Sequence, residues 1–232
     1  MWNDTREISV FIDESGSFEP TVVSSRFYLV CLVFHNQSAD ISDAIARLGN
    51  ALEGLGLPSD YCIHAGPLIR REGDCKNESR ERRRAIFAKM LSFIRKADFS
   101  YRCFFLDKRF ESGEGAVHDA LLQKILSFLM ENSAEFNAFG RLKIYYDNGQ
   151  AQVMRLIREA FIPFSSKVEF VDGVTPSKYR LFQVADAICT LELVRLKLEI
   201  EHRISDSEFA FFNGIQNLKK NYLKPIERKR HP

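Results

Sequence analysis

The chain has 232 residues, of which 45% are hydrophobic and 28% charged, a balance typical of a folded globular protein. Its 33 Lys and Arg nearly balance its 31 Asp and Glu, so the net charge of +2 argues neither for nor against a nucleic-acid partner. The longest apolar runs fall far short of the roughly 20 residues that cross a bilayer. The charged N-terminus does not resemble a signal peptide. We therefore expect a cytoplasmic protein with no membrane partner.

Apolar runs and period-two alternation predict strands, and apolar residues at helical spacing predict helices. The predicted strands are residues 7–13, 26–35, 99–106, 141–147 and 168–171, with a short extended piece at 61–64. The predicted helices are 40–55, a segment containing 86–94, 117–136, 151–161 and 179–201. This order predicts an α/β fold in which helices flank a mixed β-sheet, in a single domain over residues 1–214. Residues 215–232 are predicted to form a basic tail.

Acidic residues follow or interrupt several apolar segments. Asp13, Asp107 and Asp147 each end a predicted strand, and Asp186 lies inside an apolar helix. Carboxylates avoid burial unless they are paired or bind a cation. Each has an ordinary alternative: a turn residue for Asp13 and Asp147, a surface salt bridge for Asp107, and a buried acid capped by an arginine for Asp186.

If the first strand and strand 141–147 are neighbours in the sheet, Asp13 and Asp147 lie side by side. Asp186, projecting from a helix packed on that sheet and oriented by Gln183, could complete the cluster. Converging carboxylates repel one another unless divalent cations neutralise them. Oxygen ligands without clustered Cys or His favour Mg²⁺ or Mn²⁺ over zinc. Two such ions would support hydrolysis of a phosphodiester.

Five short motifs recur in an order that we recognise. They are F-I-D-E-S-G at 11–16, I-H at 63–64, Y-Y-D-N at 145–148, F-V-D at 170–172 and Q-V-A-D at 183–186. Over about residues 7–195 the chain resembles the family catalogued as domain of unknown function 3800, whose members are similar to ribonuclease-H-like proteins.

The resemblance implies a ribonuclease-H-like sheet with an acidic site. By position, the metal ligands would be Asp13, Asp147 and Asp186, with Glu14 and His64 as further catalytic residues. For His64 the alternative is an ordinary hydrogen-bonded histidine.

The chain departs from the family pattern, or leaves it open, at two points. Gly173 stands where the family has Ser after F-V-D. A further carboxylate expected on a helix cannot be identified. Glu72, Asp74 and Glu78 are candidates, each also explained as a solvated acid.

Basic residues supply candidate phosphate ligands. Lys178 and Arg180 precede Gln183, and we expect these three to contact nucleic acid, either RNA or DNA. Further arginines cluster at 70–84 among glutamates, and the C-terminal residues are also basic. For each run the alternative is a solvated face.

The sequence thus predicts a metal-dependent nuclease. The alternative is a catalytically silent ribonuclease-H-like module that binds nucleic acid or protein. A small-molecule phosphatase or transferase is disfavoured because no Gly-rich phosphate loop is present. A homodimer is compatible with the sequence, which identifies no interface.

The five cysteines are scattered and contain no C-x-x-C motif. Cys31, Cys103 and Cys189 lie in apolar segments, so we expect buried free thiols there rather than a disulfide or a metal site.

Overall fold

A computed structural model describes residues 6–16, 26–110, 113–147 and 149–232. The chain divides into two compact units. Unit 1 comprises Met1–Ala39 and Arg102–Val174, and unit 2 comprises Asp40–Tyr101 and Thr175–Pro232. Among the described helices, none combines the length and the hydropathy needed to cross a membrane.

A five-stranded mixed sheet confirms the predicted α/β class. Its strands are β1 (Glu7–Ser15), β2 (Phe27–Asn36), β3 (Ser100–Asp107), β4 (Arg141–Tyr145) and β5 (Val168–Val171). Their spatial order is β3-β2-β1-β4-β5. β1 pairs antiparallel with β2 and parallel with β4, and β4 pairs parallel with β5. The first strand and strand 141–147 are therefore neighbours, which was the condition for bringing the acids at their ends together.

In unit 1, alternate residues of the strands face one apolar core. Ile8, Val10 and Ile12 of β1 lie in this core, as period-two alternation requires. The helices of this unit are α4 (Glu114–Glu131), α5 (Ser133–Asn137) and α6 (Ala151–Ala160). Their buried residues, including Leu121 and Leu156, pack into the same core. The sheet is thus covered on this face, as predicted.

Unit 2 is helical. Its longer helices are α1 (Ser42–Glu53), α2 (Ala65–Arg70), α3 (Arg80–Lys96), α7 (Arg180–Leu196) and α8 (Asp206–Phe212), and its short ones are α9 (Ile215–Asn217) and α10 (Lys224–Glu227). Most residues of α7 are buried, and a π-helical segment, Lys197–Glu201, continues it. The predicted helix at 179–201 is therefore present, with a change of helical type near its end.

The C-terminal residues differ from the expected tail. They form helical segments that bury Leu218, Leu223 and Ile226. His231 N donates to Tyr101 O at 2.7 Å, and Tyr101 N donates to Lys229 O at 2.9 Å. Apolar residues recur every three to five positions among the lysines, and the charge count hides this pattern.

A buried glutamate joins α7 to the C-terminal segment within unit 2. Glu192 is 1% exposed. Its carboxylate accepts from Tyr101 Oη at 2.6 Å, Arg230 Nη2 at 2.9 Å and Arg195 Nε at 2.6 Å. Burial raises the pKa of Glu192, but Arg195, Tyr101 and Arg230 outweigh burial and lower it overall. Its negative charge is therefore fully compensated.

The cysteine prediction is wrong for two residues. Cys31 of β2 and Cys103 of β3 form a disulfide, whereas Cys62, Cys75 and Cys189 are free. β2 and β3 are neighbours in the sheet, which brings the two Cα atoms to 4.1 Å. This pairing spans 72 residues and is invisible in the local sequence.

Candidate functional site: an acidic sheet edge and a histidine–aspartate pair

The first group of predicted site residues lies where β1 and β4 end, in unit 1. The last paired residues of these parallel strands are Phe11 and Tyr145, whose rings stack with centroids 4.5 Å apart. Asp13 and Asp147 each lie two residues beyond these last paired residues. β1 itself continues to Ser15, beyond the predicted end at Asp13, because Ser15 still pairs with Leu29 of β2.

Glu14 is the most perturbed acid in this group. Burial, the largest cause, and repulsion from the Asp147 carboxylate raise the pKa of Glu14 to about 7, against the lowering effect of hydrogen bonds with Tyr146 and Gln150. Its Oε2 atom is buried and has no hydrogen-bond partner among the described residues. Glu14 is therefore a carboxylate whose charge is poorly compensated.

Gly149 marks the space that Glu14 and Asp147 share. A Cβ atom built on Gly149 would lie 3.0 Å from Glu14 Oε1 and 3.2 Å from Asp147 Oδ1. Both carboxylates thus reach the same small volume. The absence of a side chain at residue 149 keeps that volume open.

The loop after β4 fixes these groups through local hydrogen bonds. Asp147 Oδ1 accepts from Gly149 N at 3.0 Å, which is the turn role proposed as its alternative. Gln150 N donates to the Tyr146 hydroxyl at 2.6 Å, and Gln150 is the N-cap residue of α6. Asp147 therefore serves the turn and borders Glu14. Asn148 of the Y-Y-D-N motif lies outside the described residues.

The second group lies in unit 2, where α7 carries Asp186. Asp186 Oδ2 accepts from Ala65 N at 3.0 Å and lies 3.6 Å from His64 Nδ1. Asp186 Oδ1 accepts from Thr190 Oγ1 at 3.3 Å. Its partners are thus an imidazole, a backbone amide and a hydroxyl, instead of the capping arginine considered from the sequence.

His64 is strongly affected by this arrangement. Asp186 and, after it, Cys62 raise the pKa of His64 to about 10, although partial burial acts in the opposite direction. Cys62 Sγ lies 3.3 Å from His64 Nε2. His64 is therefore held in its positively charged form at neutral pH.

Gln183 and Asp186 hold the extended segment that carries His64. They lie three residues apart on one face of α7, and they accept from alternate amides, Ile63 N at 3.2 Å and Ala65 N at 3.0 Å. The sequence suggested that Gln183 orients Asp186, but the two side chains bind different backbone amides. The I-H and Q-V-A-D motifs are instead joined through the backbone.

The predicted nucleic-acid ligands have unequal surroundings. Arg180 is buried, and its guanidinium donates to Tyr61 O at 2.7 Å, to Ser59 O and to Gln183 Oε1 at 3.0 Å. Lys178 is exposed. These contacts give Arg180 and Gln183 a structural role, and contact of the three residues with nucleic acid stays a prediction.

Three other acids take ordinary roles. Asp107 accepts from Arg26 Nε at 2.9 Å and from Arg109 Nη2 at 2.8 Å, and these bonds outweigh burial and lower its pKa. Glu72 and Glu78 form ion pairs with arginines at the surface. These contacts match the salt-bridge alternative for Asp107 and the solvated-acid alternative for the two glutamates.

Sequence reasoning missed Tyr146, Gly149, Gln150 and Cys62. Tyr146 and Gly149 flank Asp147 in the quoted motif region, which was the available signal. Gln150 and Cys62 matter only through contacts made by the folded chain.

Carboxylate oxygens and an unsatisfied buried oxygen on Glu14 suit a hard divalent cation. Over the described parts of the chain, however, no group of three or more His, Cys, Asp or Glu side chains is arranged to hold a metal ion. Comparison with protein-family models, curated proteins and solved structures gives no match to this chain. The family resemblance and the metal ligand set therefore stay predictions.

Proposed function

We propose that the protein is a metal-dependent phosphodiester hydrolase that acts on nucleic acid. The observation that carries this proposal is the half-buried Glu14 carboxylate, which lies near Asp147 and has one buried oxygen that no described group satisfies. Two carboxylates sharing one volume are favoured when a divalent cation lies between them. The motifs of the ribonuclease-H-like resemblance support the same chemistry.

Glu14 and Asp147, whose carboxylates reach one volume, would hold Mg²⁺ or Mn²⁺. The family resemblance adds Asp13 as a further ligand. When bound, such an ion offsets the carboxylate charges and lowers the pKa of water for attack on phosphorus. Tyr146 and Gln150, which hydrogen-bond each other, oppose the rise in the pKa of Glu14 that burial causes. Without a cation, a pKa of about 7 lets Glu14 accept a proton near neutral pH.

His64 lies in unit 2, and we propose it as a phosphate-binding residue of that unit. Its Asp186 partner keeps the imidazole protonated at neutral pH, so it can donate a hydrogen bond to a phosphate oxygen. Both Asp186 oxygens already accept hydrogen bonds. The metal-ligand role that the sequence predicts for Asp186 is therefore tested by a variant of its own.

A catalytically silent nucleic-acid-binding module is the second candidate. The observation that favours it is that the described residues contain no group of three potential metal ligands. Such a module needs no cation, and its acids would serve turns and hydrogen bonds. It therefore predicts binding without cleavage.

Cleavage assays distinguish the two candidates. Labelled single-stranded and duplex RNA and DNA, and an RNA–DNA hybrid, are incubated with Mn²⁺, Mg²⁺ or EDTA. Wild type is compared with Glu14→Gln, Asp147→Asn and Asp186→Asn. Asp43→Asn is the matched control because its side chain is 90% exposed.

We expect metal-dependent cleavage that Glu14→Gln and Asp147→Asn abolish and Asp43→Asn leaves unchanged. Loss in Asp186→Asn would extend the functional set to α7. If no substrate is cleaved while binding persists in every variant, the hydrolase proposal is wrong and the binding module remains.

A further inference from the structure

Unit 2 contains a cleft with an unusual charge distribution. Its volume is 560 Å³, and it lies where α2 ends, α3 begins and α8 passes. Its charged lining residues are Arg70, Arg71, Glu78, Arg80, Glu81 and Arg83. Arginines therefore outnumber glutamates by four to two in the lining.

The proposal that follows depends mainly on the burial and the contacts of Arg83. It is 6% exposed, and its Nη1 atom donates to the carbonyl oxygens of Leu68 and Ile69. Its guanidinium carbon lies 5.7 Å from the centre of the Phe211 ring. Among the residues that the structure describes, its Nε atom has no hydrogen-bond partner and no carboxylate forms an ion pair with its guanidinium. A buried cation without a counter-charge is costly, so this site favours an anion.

The surrounding ion pairs do not compensate Arg83. Arg80 pairs with Glu81 at 3.7 Å, and Arg70 pairs with Glu72 at 3.0 Å. Glu78 pairs with Arg82, which lies outside the lining, at 3.5 Å.

Two arginines of the lining, Arg71 and Arg83, pair with no carboxylate of the described parts of the chain. Arg71 Nε donates to Lys76 O at 2.8 Å. Burial and then repulsion from Arg71 lower the pKa of Arg83. Two guanidinium groups thus face the same cleft with uncompensated charge.

The N-terminus of α3 adds to the positive potential. This helix has 17 residues, and its dipole favours negative charge at Ser79 and Arg80, which line the cleft. Ser79 Oγ accepts from Arg82 N at 3.1 Å, and the Glu81 carboxylate accepts from its own amide. Glu81 is therefore the group that would compete with an incoming anion.

We propose that this cleft binds a phosphate group, held by Arg71, Arg83 and the first turn of α3. Guanidinium groups bind phosphate oxygens through charge-assisted hydrogen bonds, and both Arg71 and Arg83 line the cleft. The phosphate could belong to a nucleic-acid backbone or to a free nucleotide. The site does not depend on the proposed hydrolysis, because it uses none of the acidic residues of unit 1.

Calorimetric titration of the full chain tests the proposal, with inorganic phosphate, adenosine monophosphate and a five-nucleotide single strand as ligands. The variants are Arg83→Lys, Arg71→Gln and Glu81→Gln. Arg203→Gln is the matched control, since Arg203 is exposed and lies outside the lining. Circular dichroism checks the fold of Arg83→Lys. If Arg83→Lys unfolds, the affinity of Arg71→Gln tests the proposal, because Arg71 is exposed.

We expect Arg83→Lys and Arg71→Gln to weaken phosphate binding by about tenfold, the effect of one lost charge-assisted hydrogen bond. Glu81→Gln should strengthen it, and Arg203→Gln should not change it. Equal affinity for the monophosphate and the oligonucleotide identifies a free nucleotide as the source, whereas tighter oligonucleotide binding identifies the nucleic-acid backbone. Absence of binding, or binding that Arg71→Gln and Arg203→Gln weaken equally, would overturn the proposal.

Discussion

Glu14 in unit 1 and Glu192 in unit 2 are both sheltered from solvent, and they ionise in opposite ways. Glu192 is surrounded by Arg195, Arg230 and Tyr101, which lower its pKa despite burial. Glu14 has one buried oxygen that no described residue hydrogen-bonds and a second carboxylate beside it, and its pKa rises to about 7. Burial alone therefore does not set the charge of a carboxylate. The compensated glutamate stabilises the fold, and the uncompensated one is available for chemistry.

The largest expected effect on stability is that of replacing Glu192, the glutamate whose charge is compensated. Glu192→Leu leaves Arg195 and Arg230 facing an apolar side chain, and we expect it to lower the free energy of unfolding by about 3–5 kcal/mol. Urea denaturation measures the change. Glu199→Gln, which removes only an exposed partner of Arg195, should cost less than about 1 kcal/mol. If both variants lose the same free energy of unfolding, burial does not make the Glu192 ion pairs more important than the exposed Glu199 pair.

Replacing Glu14, the glutamate whose charge is not compensated, should have the opposite effect: Glu14→Gln should stabilise the protein at alkaline pH. The folded pKa of about 7 lies above the ordinary value of 4.5, so the folded state binds more protons between these values. Wild-type stability therefore falls as pH rises from 4.5 to 7, and the variant should escape this loss.

We expect a gain of about 1–3 kcal/mol at pH 8 and none at pH 4. Denaturation at both pH values measures it, with the exposed Glu53→Gln as control. A gain that does not depend on pH would show that ionisation of Glu14 is not its cause.

A bound divalent cation should restore the folding stability that ionisation of Glu14 removes. At a Mn²⁺ concentration about tenfold above the dissociation constant, binding adds about 1.4 kcal/mol to the stability of wild type. Glu14→Gln and Asp147→Asn should abolish the rise in melting temperature measured by thermal denaturation. A rise of equal size in both variants places the cation elsewhere.

The smallest effect is expected at His64, whose imidazole is partly exposed. Its raised pKa means that the contribution to stability is complete below pH 6.5 and is lost as pH rises towards 10. Solvent screening keeps this contribution to about 1 kcal/mol or less. NMR titration of the imidazole should show the raised pKa and its return towards 6.5 in Asp186→Asn. An unchanged titration curve would remove Asp186 as the cause.

Local patterns predicted the strands that matter for the site, but not their order in the sheet. Alternation identified β1 and β4, and the acids Asp13 and Asp147 at their ends indicated a shared sheet edge only on the condition that the two strands are neighbours. The contacts of Arg180, by contrast, could not be predicted. A basic residue near a candidate site looks like a phosphate ligand until the carbonyl groups that it binds are known.

The Cys31–Cys103 disulfide and the buried C-terminal residues were missed for a related physical reason. Each depends on pairing between distant segments, and neither leaves a local periodic signal as strong as a strand or a long helix. The role of Gly149 could not be predicted, because a missing side chain matters there only when the Glu14 and Asp147 carboxylates lie close to residue 149 in the folded chain.

The bonds from α7 to the extended segment at 61–64 have a consequence for amide hydrogen exchange. Gln183 and Asp186 occupy the position that a neighbouring strand would take, and they protect the amides of Ile63 and Ala65. Hydrogen exchange should therefore be slow at these two alternate amides, although the segment belongs to no sheet. In Gln183→Ala, exchange at Ile63 should accelerate more than at Ala65. A helix thereby gives a loop the two-residue periodicity of a β-strand.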